Sequence, residues 1–298
     1  MYPDPNRKRA FGIVDIVVIA VTLASVVYLW QNLSSVLVYK WNWNFLPQVL
    51  IIRSEEGGWW RPNVLLEGLL TTLRLSFWSM VLASLLGLLL GIMATLSRLL
   101  PRLIAVSYVG LIRNIPPLVF IFVFYFFISS QIVPALGIDV WARELGPDGK
   151  RIMGTLLGPP QLLENLISGV VCLAMFEAAY IAEIVRAGIR SVPKGQTEAG
   201  QSVGLKPFQL FRLVVIPQAL RAVAPPMANQ FILLVKNSAI VSLISVQELT
   251  FMGSEIAIST GRRFETWIVV AAMYFVVCFG LATWFSRLER RSRKIYER

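Results

Sequence analysis

Histidine is absent from the 298-residue chain, and only two cysteines occur. Without imidazole, the Ser-His-Asp arrangement, histidine acid–base chemistry and the usual zinc ligand sets are excluded. Cys172 and Cys278 lie far apart inside apolar runs, which predicts two small buried hydrophobes and neither a disulfide framework nor a metal cluster. No Gly-x4-Gly-Lys-Ser/Thr phosphate loop occurs either. Gly149-Lys150 lacks both the glycine spacing and the following hydroxyl, so this chain is not expected to hydrolyse ATP. Charge is scarce as well, at 15% of residues, against about 25% in soluble domains.

Apolar residues are abundant instead, at 56%, with a mean hydropathy of +0.66. They fall in blocks long enough to cross a hydrocarbon core of roughly 30 Å, which predicts a polytopic, all-α membrane protein. Six candidate spans are read at 12–30, 65–97, 103–133, 161–186, 219–246 and 267–286. The first follows Arg7-Lys8-Arg9, contains Asp15 and is not followed by a small-x-small cleavage site. It is read as an uncleaved signal-anchor helix.

Lys and Arg number 28 against 17 acidic residues, a net charge of +11. A soluble protein with that excess would suggest a polyanionic partner. Placing the charges decides otherwise. With both termini inside, basic residues cluster on the cytoplasmic side roughly two to one, as the positive-inside rule requires. This fixes an N-in/C-in orientation and accounts for the charge without nucleic acid. Arg74, Arg113 and Lys236 are left within spans. The outer segment Gln31–Asn63 carries Trp41, Trp43, Trp59 and Trp60, as expected of an interfacial belt. The second outer segment, Pro134–Pro160, is polar, and neither is long enough for a folded extracytoplasmic domain. No internal repeat is apparent.

Arg186–Gln218 is the longest cytoplasmic loop and reads as structured. Ser191 and Pro193 are expected to open a short helix through residues 196–203, and Gly204 to end it in the left-handed conformation. Pro207 begins a second amphipathic piece through Ile216, which Pro217 is expected to break before the next span.

Glu198-Ala199-Gly200, Gly204, Val214, Ile216 and Pro217 resemble the Glu-Ala-Ala-x3-Gly-x9-Ile-x-Leu-Pro loop of bacterial ATP-binding-cassette importer permeases. Gly200, Val214 and Ile216 depart from it by mild changes of size. The run Ala179–Gln196 (AYIAEIVRAGIRSVPKGQ), Arg113-Asn114-Ile115-Pro116-Pro117 and Leu70-Thr71-Thr72-Leu73-Arg74-Leu75 resemble segments of the polar amino-acid permeases of the histidine/glutamine/glutamate type. The resemblance covers about residues 65–286. It implies a type I permease core with an extra N-terminal helix in residues 1–64, a coupling loop at 186–218 and a basic cytoplasmic tail at 287–298.

The same resemblance implies that residues 194–206, with Lys194, Glu198, Ala199, Gly200 and Gly204, dock on a separate ATPase subunit, with Ile216 and Pro217 closing the motif. ATP and magnesium would sit on that partner, and no cofactor on this chain. A second permease subunit, identical or not, and an extracytoplasmic amino-acid-binding protein complete the implied assembly, surrounded by lipid in the bacterial inner membrane. The chain itself is expected to be a transport subunit and not an enzyme.

Ionisable residues within spans need a reason, since each costs roughly 2.5–3.5 kcal/mol at mid-bilayer. Glu183 could accept a substrate ammonium, and Arg113 or the polar Lys236-Asn237-Ser238 break could donate to its carboxylate. Glu177 is a further candidate. Bland readings compete: a Glu183–Arg186 pair, Glu177 satisfied in the bundle, Arg113 at the headgroups and Asn237 as interhelical glue. Pro116-Pro117 and Pro225-Pro226 are expected to break spans three and five, and Gly87-x3-Gly91 to mark close helix packing. The rival function is a stand-alone channel or ion-coupled carrier, which would call for a carboxylate relay or inverted repeats.

Overall fold

The computed structural model describes residues 12–36, 39–53 and 58–296. The chain divides into two units, 1–43 and 44–298. The first contains helix α1 (Ile13–Val36), whose apolar stretch covers Ile13–Leu29. Its polar groups are satisfied locally: Asp15 accepts from the Gly12 N–H, and the Thr22 hydroxyl donates to the Val18 carbonyl. The Arg7-Lys8-Arg9 run lies outside the described residues.

The second unit opens with a short helix, α2 (Leu46–Leu50), and a two-stranded hairpin, β1 (Ile51–Arg53) and β2 (Trp60–Pro62). Helices α3 (Val64–Met93), α4 (Leu99–Arg113), α5 (Pro117–Phe124), α6 (Ser130–Ala135), α7 (Ile138–Glu144), α8 (Pro147–Leu156) and α9 (Leu163–Arg190) follow. The remainder is α10 (Lys194–Ser202), α11 (Pro207–Leu210), α12 (Ile216–Asn237), α13 (Leu249–Thr260) and α14 (Arg263–Tyr296). Within this unit, five helical segments are long and apolar enough to cross a membrane: Val64–Met93, Pro117–Glu144, Pro160–Arg190, Pro207–Ile244 and Arg263–Arg290.

The core is the pairing of α3 with α9. Ser79, Ala83, Gly87 and Gly91 are buried along α3 at near-helical spacing, so the backbones approach closely, while Gly68 and Thr72 meet α13. A Cβ on Gly87 would lie 2.6 Å from Ile181 Cβ and 3.0 Å from the Ala178 carbonyl. On Gly91 it would meet Val185 Cβ at 2.6 Å and the Ala182 carbonyl at 2.8 Å. This is the close packing expected of the glycine pair. Cys172 and Cys278 are buried and free.

The span read at 103–133 is broken at its proline pair as expected: α4 ends at Arg113, Asn114–Pro116 intervene, and Pro117 opens α5, which passes through a π turn into α6. Its first half, α4, is fastened to α9 by the Tyr108 hydroxyl, which donates to the Met175 carbonyl at 2.6 Å. Pro225 and Pro226, by contrast, lie inside an unbroken α12. Both are exposed. Pro217 does not end its helix either. A π turn at Phe211–Val215 joins α11 to α12, with the Ile216 N–H bonded to the Phe211 carbonyl. The wider turn accommodates a proline that has no N–H to offer Leu213.

The Pro134–Pro160 segment also folds. α7 and α8 enclose Ala142, Met153 and Leu163 in a small core. Arg74 Nε donates to the Thr155 carbonyl at 3.0 Å, and Trp78 Nε1 to the Leu156 carbonyl at 3.1 Å. These are C-terminal carbonyls of α8 that lack helical partners. Arg74 thus spends its charge on a helix end, where the dipole favours it.

Helix α13 was not anticipated. It begins at Glu248, fully buried, whose carboxylate accepts from the Phe251 N–H at 2.9 Å, the Tyr274 hydroxyl at 2.6 Å and the Thr72 hydroxyl at 3.3 Å. One side chain therefore caps α13 and pins it to α3 and α14. α14 continues unbroken through Tyr296, so the basic stretch from Arg287 is helical up to that residue.

Candidate functional site

Two groups of residues stand apart from the packing core: a knob between α9 and α12, and a set of ionisable side chains on α4, α9 and α12.

The knob is built from short pieces with satisfied ends. Pro193 precedes α10 in an extended conformation, so the helix starts at Lys194. Ser191 does not cap it, because its hydroxyl donates back to the Gly188 carbonyl. Thr197 and Ser202 donate to the Lys194 and Glu198 carbonyls. Gly204 has φ +82°, the left-handed position expected of it, and the Leu205 N–H closes on the Gly200 carbonyl at 3.2 Å in the manner of a Schellman end. α11 then begins with the Lys206 N–H donating to Gln209 Oε1.

Gly200 is the buried residue of α10, and a Cβ there would stand 2.4 Å from Leu210 Cδ1. The absent methyl lets α10 seat against the helix that continues into α12. Lys194, Glu198, Ala199 and Pro217 are exposed, and Ile216 is partly buried. Val203 and Phe208 project apolar side chains at 77% and 72% exposure.

The ionisable set divides in two. Glu177, near the midpoint of α9, is fully buried. Gln230 donates to one oxygen and Asn237 to the other at 2.9 Å, so α9 and α12 are laced together there. Gln230 and Asn237 lie seven residues apart on α12, two helical turns. That spacing opposite a lone intramembrane glutamate is the signal by which Gln230 could have been found. Glu248 had no comparable signal, because its partners come from two distant helices.

Glu183, two turns nearer the knob, accepts from Arg186 in a doubly bonded i,i+3 pair. Arg113 Nη1 lies 3.9 Å from the same carboxylate, and its guanidinium lies 5.6 Å from the Tyr180 ring centroid, an arrangement favourable to a cation. These groups are accessible, Arg113 at 43% and Glu183 at 31%. Lys236 neighbours Asn237 at the depth of Glu177, yet is exposed. Ser238 donates to the Val235 carbonyl and begins the 3-10 turn Ser238–Ile244.

Comparison with known proteins agrees with this architecture. Residues 83–294 match the family described as binding-protein-dependent transport system inner membrane component. The probable glutamine ABC transporter permease protein GlnM of Bacillus subtilis (strain 168) is 35% identical over 190 residues, which are 64% of this chain and 75% of that protein. The glutamate/aspartate import permease protein GltJ of Escherichia coli (strain K12) is 29% identical over 255 residues, covering 85% and 95%. A crystal structure of an amino acid ABC transporter with histidines superposes with a TM-score of 0.61 at 33% identity, covering 76% of this chain and 94% of that one. The chain is a multi-pass membrane protein and a transport subunit, not an enzyme, and it belongs to the family of inner membrane components of binding-protein-dependent transport systems.

Proposed function

We propose that the chain is the permease subunit of an ATP-driven importer of polar amino acids in the bacterial inner membrane, with the α10 knob on the cytoplasmic side. The observation that carries the coupling role is the exposed pair Val203 and Phe208 on a knob whose other side is seated on Leu210. α10 joins α9 through three residues, and α11 runs through the π turn into α12. A push on the knob is therefore delivered to two spans as a rigid-body movement. A partner ATPase holding ATP and magnesium supplies that push, a second permease subunit closes the pathway, and an extracytoplasmic binding protein delivers the substrate.

For the pathway, Arg113, Glu183 and Lys236 are the residues we assign to substrate contact, being charged and accessible. Glu183 suits the ammonium, and Arg113 and Lys236 suit the carboxylate. Glu177 and Asn237, bonded to each other, hold α12 in place behind them. The test is purification of the tagged chain from its native membranes with identification of what accompanies it. A P-loop ATPase is expected with the wild type and absent from a Glu198→Lys, Gly204→Pro double variant. A folded, abundant chain without an ATPase would move a stand-alone carrier to the front.

A further inference from the structure

The accessible charges of the membrane interior are unbalanced, and the imbalance has a sign. Within the later five spans the sequence places Glu67, Glu164, Glu177 and Glu183 against Arg74, Arg113, Arg186, Arg221 and Lys236, with Glu67, Glu164, Glu183, Arg186 and Arg221 within about one turn of a span end. The fold removes Glu177, which is fully buried with each oxygen held by an amide. It also removes Arg74, which is occupied at the end of α8. Glu183 is already matched by Arg186 and has Arg113 beside it. What remains accessible is an excess cation in the Arg113–Glu183–Arg186 group and the exposed ammonium of Lys236.

Neither cation is suited to a lipid-facing position. Lys236, in the last turn of α12 before the 3-10 turn Ser238–Ile244, sits beside Asn237, which bonds Glu177 near the midpoint of α9, and the ends of α9 are each about 20 Å from that point at 1.5 Å per residue. A lysine stem reaches a headgroup from near a helix end, not from that depth. Among the described residues Lys236 has neither a hydrogen bond nor an ion pair. Its face of α12 is open in the single chain and in the assembly meets water, the second permease subunit or a transported group. Acidic residues of the outer half do not offset it: Glu67, Glu164 and Glu255 lie toward span ends or on α13, Glu265 is buried in the first turn of α14, and Glu248 is buried under Tyr274 and Thr72.

We infer that this permease carries amino acids bearing an acidic side chain, the amino dicarboxylates, in preference to cationic ones, with Lys236 and Arg113 as the residues that set the sign. The inference rests on the amino-acid import proposed above and narrows it. Two carboxylates complement the two cations, and the ammonium shares Glu183 with Arg186. A second positive charge on the substrate would instead meet unscreened like charge.

The test uses cells that carry the intact system, with this chain deleted and then restored as wild type or variant. Initial uptake of radiolabelled glutamate, aspartate, glutamine, arginine and lysine is measured as the part that depends on the chain. Wild type is expected to take up glutamate or aspartate at least about tenfold faster than arginine or lysine. Lys236→Gln should lower acidic uptake about tenfold while glutamine uptake, where present, falls less, and Lys236→Arg should restore the preference. Immunoblotting of the membranes establishes that each variant is present at the wild-type level.

Fastest uptake of arginine or lysine, or of glutamine, would overturn the inference and leave amino-acid import standing. An equal fall for all substrates in Lys236→Gln, with no recovery in Lys236→Arg, overturns the role of Lys236. No chain-dependent uptake of any of the five would instead count against the import reading itself.

Discussion

Gln230 and Asn237 donate to the two oxygens of one carboxylate, and the consequence for Glu177 is that both oxygens are engaged in joining α9 to α12. In a bilayer the cost of an unsatisfied polar group is not relieved by solvent. Glu177→Ala should therefore strand two amides and lower stability by about 1–3 kcal/mol, seen as a lower melting temperature in detergent. Glu177→Gln retains an acceptor and should lose less. If the alanine variant melts with the wild type, the lacing is not structural and Glu177 returns to the pathway. Residue identity was legible here and residue role was not. Glu177 and Glu183 stand six positions apart on one helix and look alike in a hydropathy trace. Their fates diverge because two amides on α12 face one, and two arginines surround the other.

Elements were read well wherever their cause is local, and poorly where a distant partner decides. Gly204 ends α10 in the left-handed region because the turn itself requires it. Three proline sites, by contrast, gave one rule and three outcomes. Pro116-Pro117 separates two helices, Pro217 is absorbed by a π turn, and Pro225-Pro226 passes through an exposed helix face. Helix α13 escaped notice because its cap, Glu248, is completed by Thr72 and Tyr274 from other spans. The same dependence on partners makes glycines unequal. Gly91→Ala would drive a methyl into Val185 and the Ala182 carbonyl of α9, and overpacking of that kind costs about 1–3 kcal/mol. Gly110→Ala on α4 meets nothing within 4 Å and should be neutral or stabilising by up to about 1 kcal/mol. Thermal unfolding of the two purified variants should move in opposite senses or leave only Gly91→Ala shifted.

At the scale of the molecule, Pro207–Ile244 is a single helical rod that begins at the knob and passes Glu177. Nearest the knob it departs from the regular pattern at the π turn Phe211–Val215, where Pro217 contributes no donor. Binding of the ATPase and transmission of its movement can therefore be separated. Glu198 is exposed on the knob surface, whereas Val214 and Val215 lie in the turn behind it. Replacing both valines by glycine raises backbone freedom at the turn by roughly 1 kcal/mol per residue and removes the buried Val215 side chain and the Val214 contact with α10, while Val203 and Phe208 are unchanged. The expected result is a complex that still retains its ATPase and hydrolyses ATP, yet imports substrate at a small fraction of the wild-type rate. Glu198→Lys, acting at the proposed docking face, should lose the ATPase and with it both activities. If the double glycine variant transports normally while α10 remains docked, movement reaches the spans through Ser191–Pro193 and α9 instead. The rod then only closes the pathway that α9 drives.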